Sequence, residues 1–301
     1  MAIDTVLFDI VPVTVLTVKN YARFMERLVT SDVAKMAVGS VERTVMMNAT
    51  GGVIDTLFVA RTELDCYKLL LVGESADVRE AWIRQMSVAF DSEVQTDKQT
   101  GFHFVGNLPI DGIDMQPKKF VERSGMLFLH MGWMQMVVGA GENVEALSRS
   151  LQNLGAKKGD QSGLDALRIL AREPALGLEL DESVSPLESG LIDAVDFNDP
   201  NRIFLGRALC EARFNAGGYE RLHLVAFDTA FDPMLLVEAP LVVVGEMGYP
   251  LTSLARIPEM PLTVGLVRLP YDVQLGQHFD TIVRTDPRTN CGGALVIDPQ
   301  L

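Results

Sequence analysis

The sequence changes character at residues 215–218, Asn-Ala-Gly-Gly, and this change restricts the folds that the chain can adopt. Before it, β-branched runs typical of strands alternate with segments whose apolar residues recur at helical spacing. After it, only short strand-like runs follow, separated by proline and glycine, as in a small barrel or sandwich. We therefore predict an α+β protein, with a two-lobed core over 1–215 and a β-barrel-like domain over 216–301.

The same patterns predict the individual elements. Asn20 is expected to cap the first helix, and Val78, Trp82, Met86 and Phe90 are expected to form the buried face of the second. The predicted strands of the core are 6–18, 44–48, 53–60 and 67–72, its helices are 21–28, 76–90, 144–154 and 162–171, and its hairpin is 126–138. The strands predicted for the barrel are 222–227, 234–237, 241–244, 262–269 and 294–297.

The charge of the chain limits its partners. The formal net charge is −14 and the pI is about 4.7. An acidic surface repels phosphate backbones and anionic lipids, so we expect neither nucleic acid nor a membrane as a partner. The start of the chain carries Asp4 and Asp9 instead of the basic residues of a signal peptide. The longest apolar stretch, 126–141, is shorter than the roughly 20 residues of a spanning helix, so we expect a cytoplasmic protein.

Cysteine and histidine are too dispersed to predict a metal site or a disulfide framework. None of the cysteines forms a C-x-x-C pair, and no H-E-x-x-H motif exists, so no resident metal is expected. These residues are Cys66, Cys210, Cys291, His103, His130, His223 and His278.

Three segments in matching order and spacing resemble the folate-binding aminomethyltransferase family, which includes the glycine-cleavage T-protein and tetrahydrofolate-dependent demethylases. Residues 7–39 are similar to the opening strand and helix of the family, with its L-x-T-N-D-V ending. Residues 46–59, MMNATGGVIDTLFV, are similar to its M-L-N-x-x-G-G-V-I-D-D-L motif. Residues 179–209 are similar to its D-E-x-x-P-L-E-A-G-L and F-I-G-R-E-A-L motifs. The resemblance implies a bilobed folate-binding core followed by a C-terminal barrel.

The second motif supplies the first candidate site residues. The resemblance implies that Asp55 is catalytic and faces the reacting nitrogens of tetrahydrofolate, with Gly52 and Val53 beside it in the cofactor site. The glycines of the turn also permit close backbone approach. From the residues alone, Asp55 is more typical of a strand-end carboxylate that binds its own turn.

The hairpin at 126–138 departs from the family pattern. Where the family has Y-T-G-E-D-G-x-E, this chain has MLFLHMGWMQ, so the glutamate of the family becomes Met134 or Gln135. We interpret Trp133 and Gln135 as cofactor-binding residues in a more apolar pocket, with Trp133 or Phe128 stacking on the pterin. His130 is the local candidate for a general acid or base, the alternative being a core histidine.

The resemblance implies a tetrahydrofolate-dependent one-carbon transferase that takes a methyl or aminomethyl group from a small-molecule donor. A demethylase of a small methylated donor is one such activity. The alternative is a non-catalytic or assembly-type member, or a subunit of a larger complex, that has lost folate chemistry. A homo-oligomer or a partner subunit is compatible with both interpretations.

Overall fold

We describe a computed structural model of the chain over residues 5–19, 22–73, 76–90, 92–108, 110, 113, 116–229, 231–236, 238–257, 260, 262–283 and 292–298. Asn20, the predicted helix cap, and Cys291 lie outside these residues. The chain forms two compact units that alternate along the sequence. The first comprises Met1–Met46, Thr56–Gln161 and Ala194–Leu205, and the second comprises Met47–Asp55, Ser162–Asp193 and Gly206–Leu301. The domain boundary at residue 215 stays a prediction.

A curled sheet forms the centre of the first unit. Its main path runs β2-β3-β4-β1-β5-β8-β7-β6, and the two-residue strand β9 pairs in parallel with β1. The strands are β1 Thr5–Lys19, β2 Val41–Met47, β3 Val53–Glu63, β4 Cys66–Val72, β5 Glu93–Gly106, β6 Phe120–Arg123, β7 Met126–His130, β8 Gln135–Gly139 and β9 Lys157–Lys158. The helices are α1 Ala22–Leu28, α2 Ala76–Val88 and α3 Gly141–Asn153.

The two ends of this sheet meet. Ser40 forms an antiparallel bridge with Lys119, and Val41 N–H donates to the Lys118 carbonyl over 3.0 Å. Because the sheet closes in this way, apolar side chains from distant strands share its concave face. That inner cluster contains Val13, Val15, Val41, Ala60, Leu70, Leu127, Leu129, Met136 and Val138.

Helix α3 covers the opposite face of the sheet. Because side chains alternate across a strand, the neighbours of the inner residues point outward and pack against this helix. The outer cluster contains Leu7, Phe102, Phe104, Phe128, Val137, Val144, Leu151 and Ala156. The hairpin predicted at 126–138 is confirmed as β7 and β8, and each of its strands contributes to both clusters.

The buried face predicted for α2 is wrong. The side chain of Val78 is 74% exposed, whereas Ala76, Arg79, Ile83 and Ser87 are buried. The guanidinium of Arg79 donates to the Val72 carbonyl at the end of β4 over 2.9 Å. The buried face of the helix is therefore shifted by about one residue relative to the apolar pattern.

The second unit contains a closed six-stranded barrel, as the sequence predicts. The strand order is β10-β13-β12-β11-β14-β15. Its interior is filled by apolar side chains that include Val225, Val242, Val267 and Val296. The elements are α4 Gln161–Leu170, α5 Arg207–Ala216, β10 Arg221–Phe227, β11 Leu241–Val244, β12 Met247–Arg256, β13 Thr263–Leu269, β14 His278–Ile282 and β15 Ala294–Ile297. The α+β class with a C-terminal barrel is therefore confirmed.

One predicted barrel strand is wrong, and two strands were not predicted. The strand expected at 234–237 is replaced by a 3₁₀ turn at Pro233–Leu235, because the Asp232 side chain accepts from Met234 N–H and Pro233 fixes the first helical φ. The two barrel strands that were not predicted are β12 and β14. Among the described residues, no helix has the length and apolar character needed to cross a membrane.

A buried ion pair joins α4 to the barrel within the second unit. The carboxylate of Glu179 is wholly buried and accepts from Arg168 Nη1 at 3.3 Å and from Ser253 Oγ at 2.5 Å. Arg168 Nη2 donates to the same Ser253 hydroxyl over 2.8 Å. The backbone N–H of Ala175 donates over 3.0 Å to Oε2, the carboxylate oxygen that Arg168 also contacts. The charge of Glu179 is thus satisfied on both oxygens.

We expect Glu179→Ala to lower the free energy of unfolding by about 3–5 kcal/mol, because it removes the buried carboxylate partner of Arg168 and leaves only the more exposed Asp165. Urea denaturation followed by circular dichroism measures the change. The matched control is Glu145→Ala, which removes an exposed pair with Arg149 and should cost less than about 0.5 kcal/mol. Equal effects of the two variants would contradict this assignment.

Burial lowers the pKa of His103, on β5, from 6.5 to about 4. The folded protein therefore binds this proton less readily than the unfolded chain does. The stability that results is fully present above pH 6.5 and is lost as the pH falls from 6.5 towards 4. We expect the imidazole resonances of His103 to stay constant from pH 8 to pH 5 in an NMR titration. A midpoint near 6.5 would show that the side chain is solvated.

Candidate functional site

The turn between β2 and β3 is organised by one asparagine. Asn48 Oδ1 accepts from Gly52 N–H at 2.9 Å and from both the N–H and the hydroxyl of Thr50, at 3.0 and 2.7 Å. Asn48 Nδ2 donates to the Glu182 carbonyl over 2.8 Å. Sequence reasoning identified this turn but missed the role of Asn48. An asparagine four residues before the second glycine was the available signal, because its side chain can bind local backbone N–H groups.

Gly52 allows another segment of the chain to lie directly against the turn. A Cβ at this position would lie 1.8 Å from the Glu182 carbonyl oxygen, which no other residue could accommodate. Val53 N–H donates to the Val184 carbonyl over 2.9 Å. Residues 182–184 therefore run beside the start of β3, so the predicted close approach at Gly52 is to the backbone of the chain itself.

Asp55 lies in a buried row of β3. The side chains of Val53, Asp55 and Leu57 are 0%, 5% and 2% exposed, whereas those of Ile54 and Thr56 are only half-buried. This alternation is that of a strand whose one face is fully covered. The structure thus places a carboxylate between two apolar side chains, on the strand that leaves the turn. Such a group is poorly solvated, and it interacts strongly with any N–H donor or cation that reaches it.

The β7–β8 hairpin holds the remaining candidates. His130, at the end of β7, pairs across the hairpin with Gln135, at the start of β8. Trp133 lies in the connection and is half-buried. Phe128 is 1% exposed and packs in the outer cluster beneath α3. The expectation that Phe128 stacks on a ligand is therefore wrong, because strand alternation directs its ring into the core.

His130 and Gln135 are both engaged locally. Nδ1 of His130 accepts from Gly132 N–H over 3.3 Å, and burial lowers the pKa of this histidine below its ordinary value of 6.5. The amide nitrogen of Gln135 donates to the Gly106 carbonyl over 2.8 Å, which aligns its oxygen as the remaining acceptor. Met134 is buried, whereas Gln135 is only half-buried. Gln135 is therefore the residue of the two that presents an accessible polar side chain at this point of the hairpin.

The six predicted site residues fall into two groups. Gly52, Val53 and Asp55 belong to the second unit, and His130, Trp133 and Gln135 belong to the first. Each group is local to one stretch of chain, the turn into β3 or the hairpin. In the described part of the chain, no group of three or more His, Cys, Asp or Glu side chains is placed to hold a metal ion.

Gly52→Ala is expected to disrupt the second unit, because the new Cβ would overlap the Glu182 carbonyl. We expect a loss of at least about 3 kcal/mol in the free energy of unfolding, or insoluble protein. The control is Gly141→Ala, at the start of α3, where a Cβ meets only ordinary contacts beyond 3.6 Å. That variant should be neutral or slightly more stable, because alanine is the better helix former. Denaturation midpoints compare the two, and a stable Gly52→Ala protein would contradict the geometry.

Comparisons with known proteins were made on sequence and on structure. No family model matches the chain. It is 29% identical over 231 residues to an aminomethyltransferase of Neisseria meningitidis and 27% identical over 232 residues to one of Nitrosococcus oceani. These matches cover 68% and 70% of this chain, and each spans 62% of the relative. A third, from Ralstonia pickettii, is 25% identical over 93% of this chain and 83% of its own length.

A solved structure supports the same assignment at the level of the fold. The glycine cleavage system aminomethyltransferase T of Bartonella henselae superposes with a TM-score of 0.84, over 99% of this chain and 86% of that one, at 16% identity. The three sequence motifs, the curled sheet, the C-terminal barrel and these matches agree. The chain is thus similar in sequence to aminomethyltransferases and shares the fold of the glycine cleavage system T protein.

Proposed function

We propose that this chain is a folate-dependent one-carbon transferase that moves a methyl or aminomethyl group between a small-molecule donor and tetrahydrofolate. The similarity to aminomethyltransferases supports the reaction class. The observation that carries the proposal is Asp55, a buried carboxylate in the apolar row of β3. Because the curated relatives extend beyond the region that this chain matches, donor and partners are also part of the proposal.

Asp55 suits the chemistry of an amine that carries a one-carbon group. Tetrahydrofolate would supply the nitrogen to which that group is attached. A carboxylate with little water around it can accept a hydrogen bond from such a nitrogen or take its proton as the bond to carbon changes. Val53 and Leu57 on either side exclude water from the same row, which strengthens that interaction.

The hairpin residues fit a folate only in part. Gln135 offers one oriented amide oxygen and Trp133 a half-buried aromatic surface, and both are suited to an edge or a face of a pterin. Phe128 does not fit, since its ring is enclosed in the core. We propose Trp133 and Gln135 as cofactor-binding residues. We propose His130 as a general acid–base residue, whose Nε2 carries the proton of the neutral ring while Nδ1 accepts from Gly132 N–H.

A finer proposal concerns the donor. The apolar composition of the hairpin favours a small methylated molecule as the donor. We therefore propose a demethylase reaction in preference to transfer from a charged carrier. The second candidate, a subunit without folate chemistry, is favoured by the enclosure of Phe128 and Met134. Tetrahydrofolate binding separates the two, because only the first requires it.

We expect Asp55→Asn to fold normally and to lower one-carbon transfer by about 100-fold or more, because the amide cannot accept a proton. The control Asp65→Asn changes an exposed carboxylate in the turn after β3 and should leave activity intact. Transfer to tetrahydrofolate from candidate methylated amines and ethers is measured, together with tetrahydrofolate binding by calorimetry. Full activity of Asp55→Asn would make this carboxylate structural, and wild-type protein that binds no tetrahydrofolate would favour the second candidate.

A further inference from the structure

A cavity of about 630 Å³ lies in the first unit, away from the turn and the hairpin. Its wall is formed by α1, by the end of α2 and by residues 201–203. Small-molecule sites in proteins commonly have volumes of about 300–1,000 Å³, so the cavity is large enough for an organic ligand. None of the candidate site residues described above contributes to it.

The cavity is basic although the chain is acidic. Three arginines, Arg23, Arg27 and Arg202, line it together with one carboxylate, Glu26, whereas the whole chain carries a formal charge of −14. Arg23 and Arg27 are four residues apart on α1, so their side chains leave the helix on the same face. Within the part of the chain that the structure describes, neither forms an ion pair or a side-chain hydrogen bond.

Some other arginines of this protein pair with carboxylates. Arg84, Arg168, Arg207 and Arg213 lie within 3.3 Å of a Glu or Asp oxygen. The chain as a whole has 40 acidic residues against 26 basic ones. Two exposed arginines that share a helix face and a cavity without such a partner are therefore placed to receive an external anion.

Arg202 forms a rigid basic floor. It is buried, and its terminal nitrogens donate to the carbonyls of Val29, Thr30 and Ser31 over 2.6–2.7 Å. Its guanidinium also stacks on the Phe204 ring, at 5.0 Å from the centroid. Because Thr30 and Ser31 follow α1 directly in the chain, these bonds fix the end of that helix and hence the direction of Arg27.

Apart from Asn201, the rest of the wall is apolar, and a carbonyl near the end of α2 is already engaged. Phe90 packs on Phe24 with ring centroids 5.7 Å apart, and Ile203 is 55% exposed. The carbonyl of Ser87, the residue before the last one of α2, accepts from the N–H groups of Phe90 and Ser92 at 3.0 and 3.4 Å. This carbonyl is therefore engaged by backbone N–H groups and does not compete with a ligand as an acceptor for the arginines.

We propose that this cavity binds a small organic anion, a carboxylate or phosphate attached to an aromatic or aliphatic group. Arg23 and Arg27 bind the anionic oxygens, for which the planar guanidinium has the matching geometry, and Phe90 and Ile203 contact the apolar group. The proposal is independent of the folate reaction, since it shares no residue with Asp55 or the hairpin.

Calorimetry with phenyl phosphate as the probe tests this site. We expect phenyl phosphate to bind more tightly than inorganic phosphate or phenol, because only it meets both parts of the wall. The double variant Arg23→Gln/Arg27→Gln should weaken binding by about tenfold or more, since each charge-assisted hydrogen bond contributes roughly that factor. Phenylacetate in place of phenyl phosphate shows whether a carboxylate or a phosphate is preferred.

The control is Arg149→Gln, which removes an exposed arginine on α3 and should leave the affinity unchanged. Circular dichroism of the double variant verifies that α1 still folds, and backbone NMR shifts should map the phenyl phosphate to residues 23–27. Equal affinity in the wild type and in Arg23→Gln/Arg27→Gln would overturn the proposal. So would the absence of binding at millimolar concentrations of both phenyl phosphate and phenylacetate.

Discussion

The contact on which the second unit depends is a meeting of three backbones at the turn before β3. A Cβ on Gly52 would lie 1.8 Å from the Glu182 carbonyl, and a Cβ on Gly206 would lie 2.4 Å from the Asn48 carbonyl. The turn is therefore enclosed by residues 182–184 on one side and by the start of α5 on the other. Only glycine permits such proximity, and at Gly206 the φ of +78° adds a second requirement for it.

This contact gives a physical reason for the family resemblance. The matching motifs at 46–59 and 179–209 are far apart in the chain, yet Asn48, Gly52, Glu182 and Gly206 are the residues at which they meet. From the sequence alone, the glycines of the turn are expected to permit close backbone approach. The identity of the approaching segment could not be predicted, because a single sequence does not state which segments lie against each other.

The sequence predicted most elements, and its errors have identifiable causes. Strands with dense β-branched residues, such as β1, were predicted within a few residues of their ends. β12 was missed because Gly248 and Pro250 interrupt its strand pattern in the sequence. The strand accommodates Pro250 because this residue lies opposite Leu241 at the last position of the β11–β12 ladder. β14 was missed because its side chains are mostly polar and exposed. Local patterns carry no information about pairing partners that arrive from elsewhere in the chain.

The two groups of candidate site residues were not equally predictable from the sequence. Asp55 follows from a motif whose register is fixed locally, so its burial between Val53 and Leu57 could be anticipated. The orientation of the hairpin side chains could not be predicted in the same way. Alternation predicts that Phe128 and Leu129 point to opposite faces, but not that α3 covers the face of Phe128. The burial of the Phe128 ring depends on a helix that begins only at Gly141.

The length of the turn determines what Asp55 can do. In a strand, a shift of one residue exchanges the two faces, which would exchange Asp55 with the half-buried Ile54 or Thr56. Asn48 prevents such a shift, because one side chain bonds both Thr50 and Gly52 and thereby fixes the number of residues between β2 and β3. The bond from Val53 N–H to Val184 fixes the strand a second time, on its other edge. The carboxylate is therefore held in the covered row by two constraints that do not involve its own oxygens.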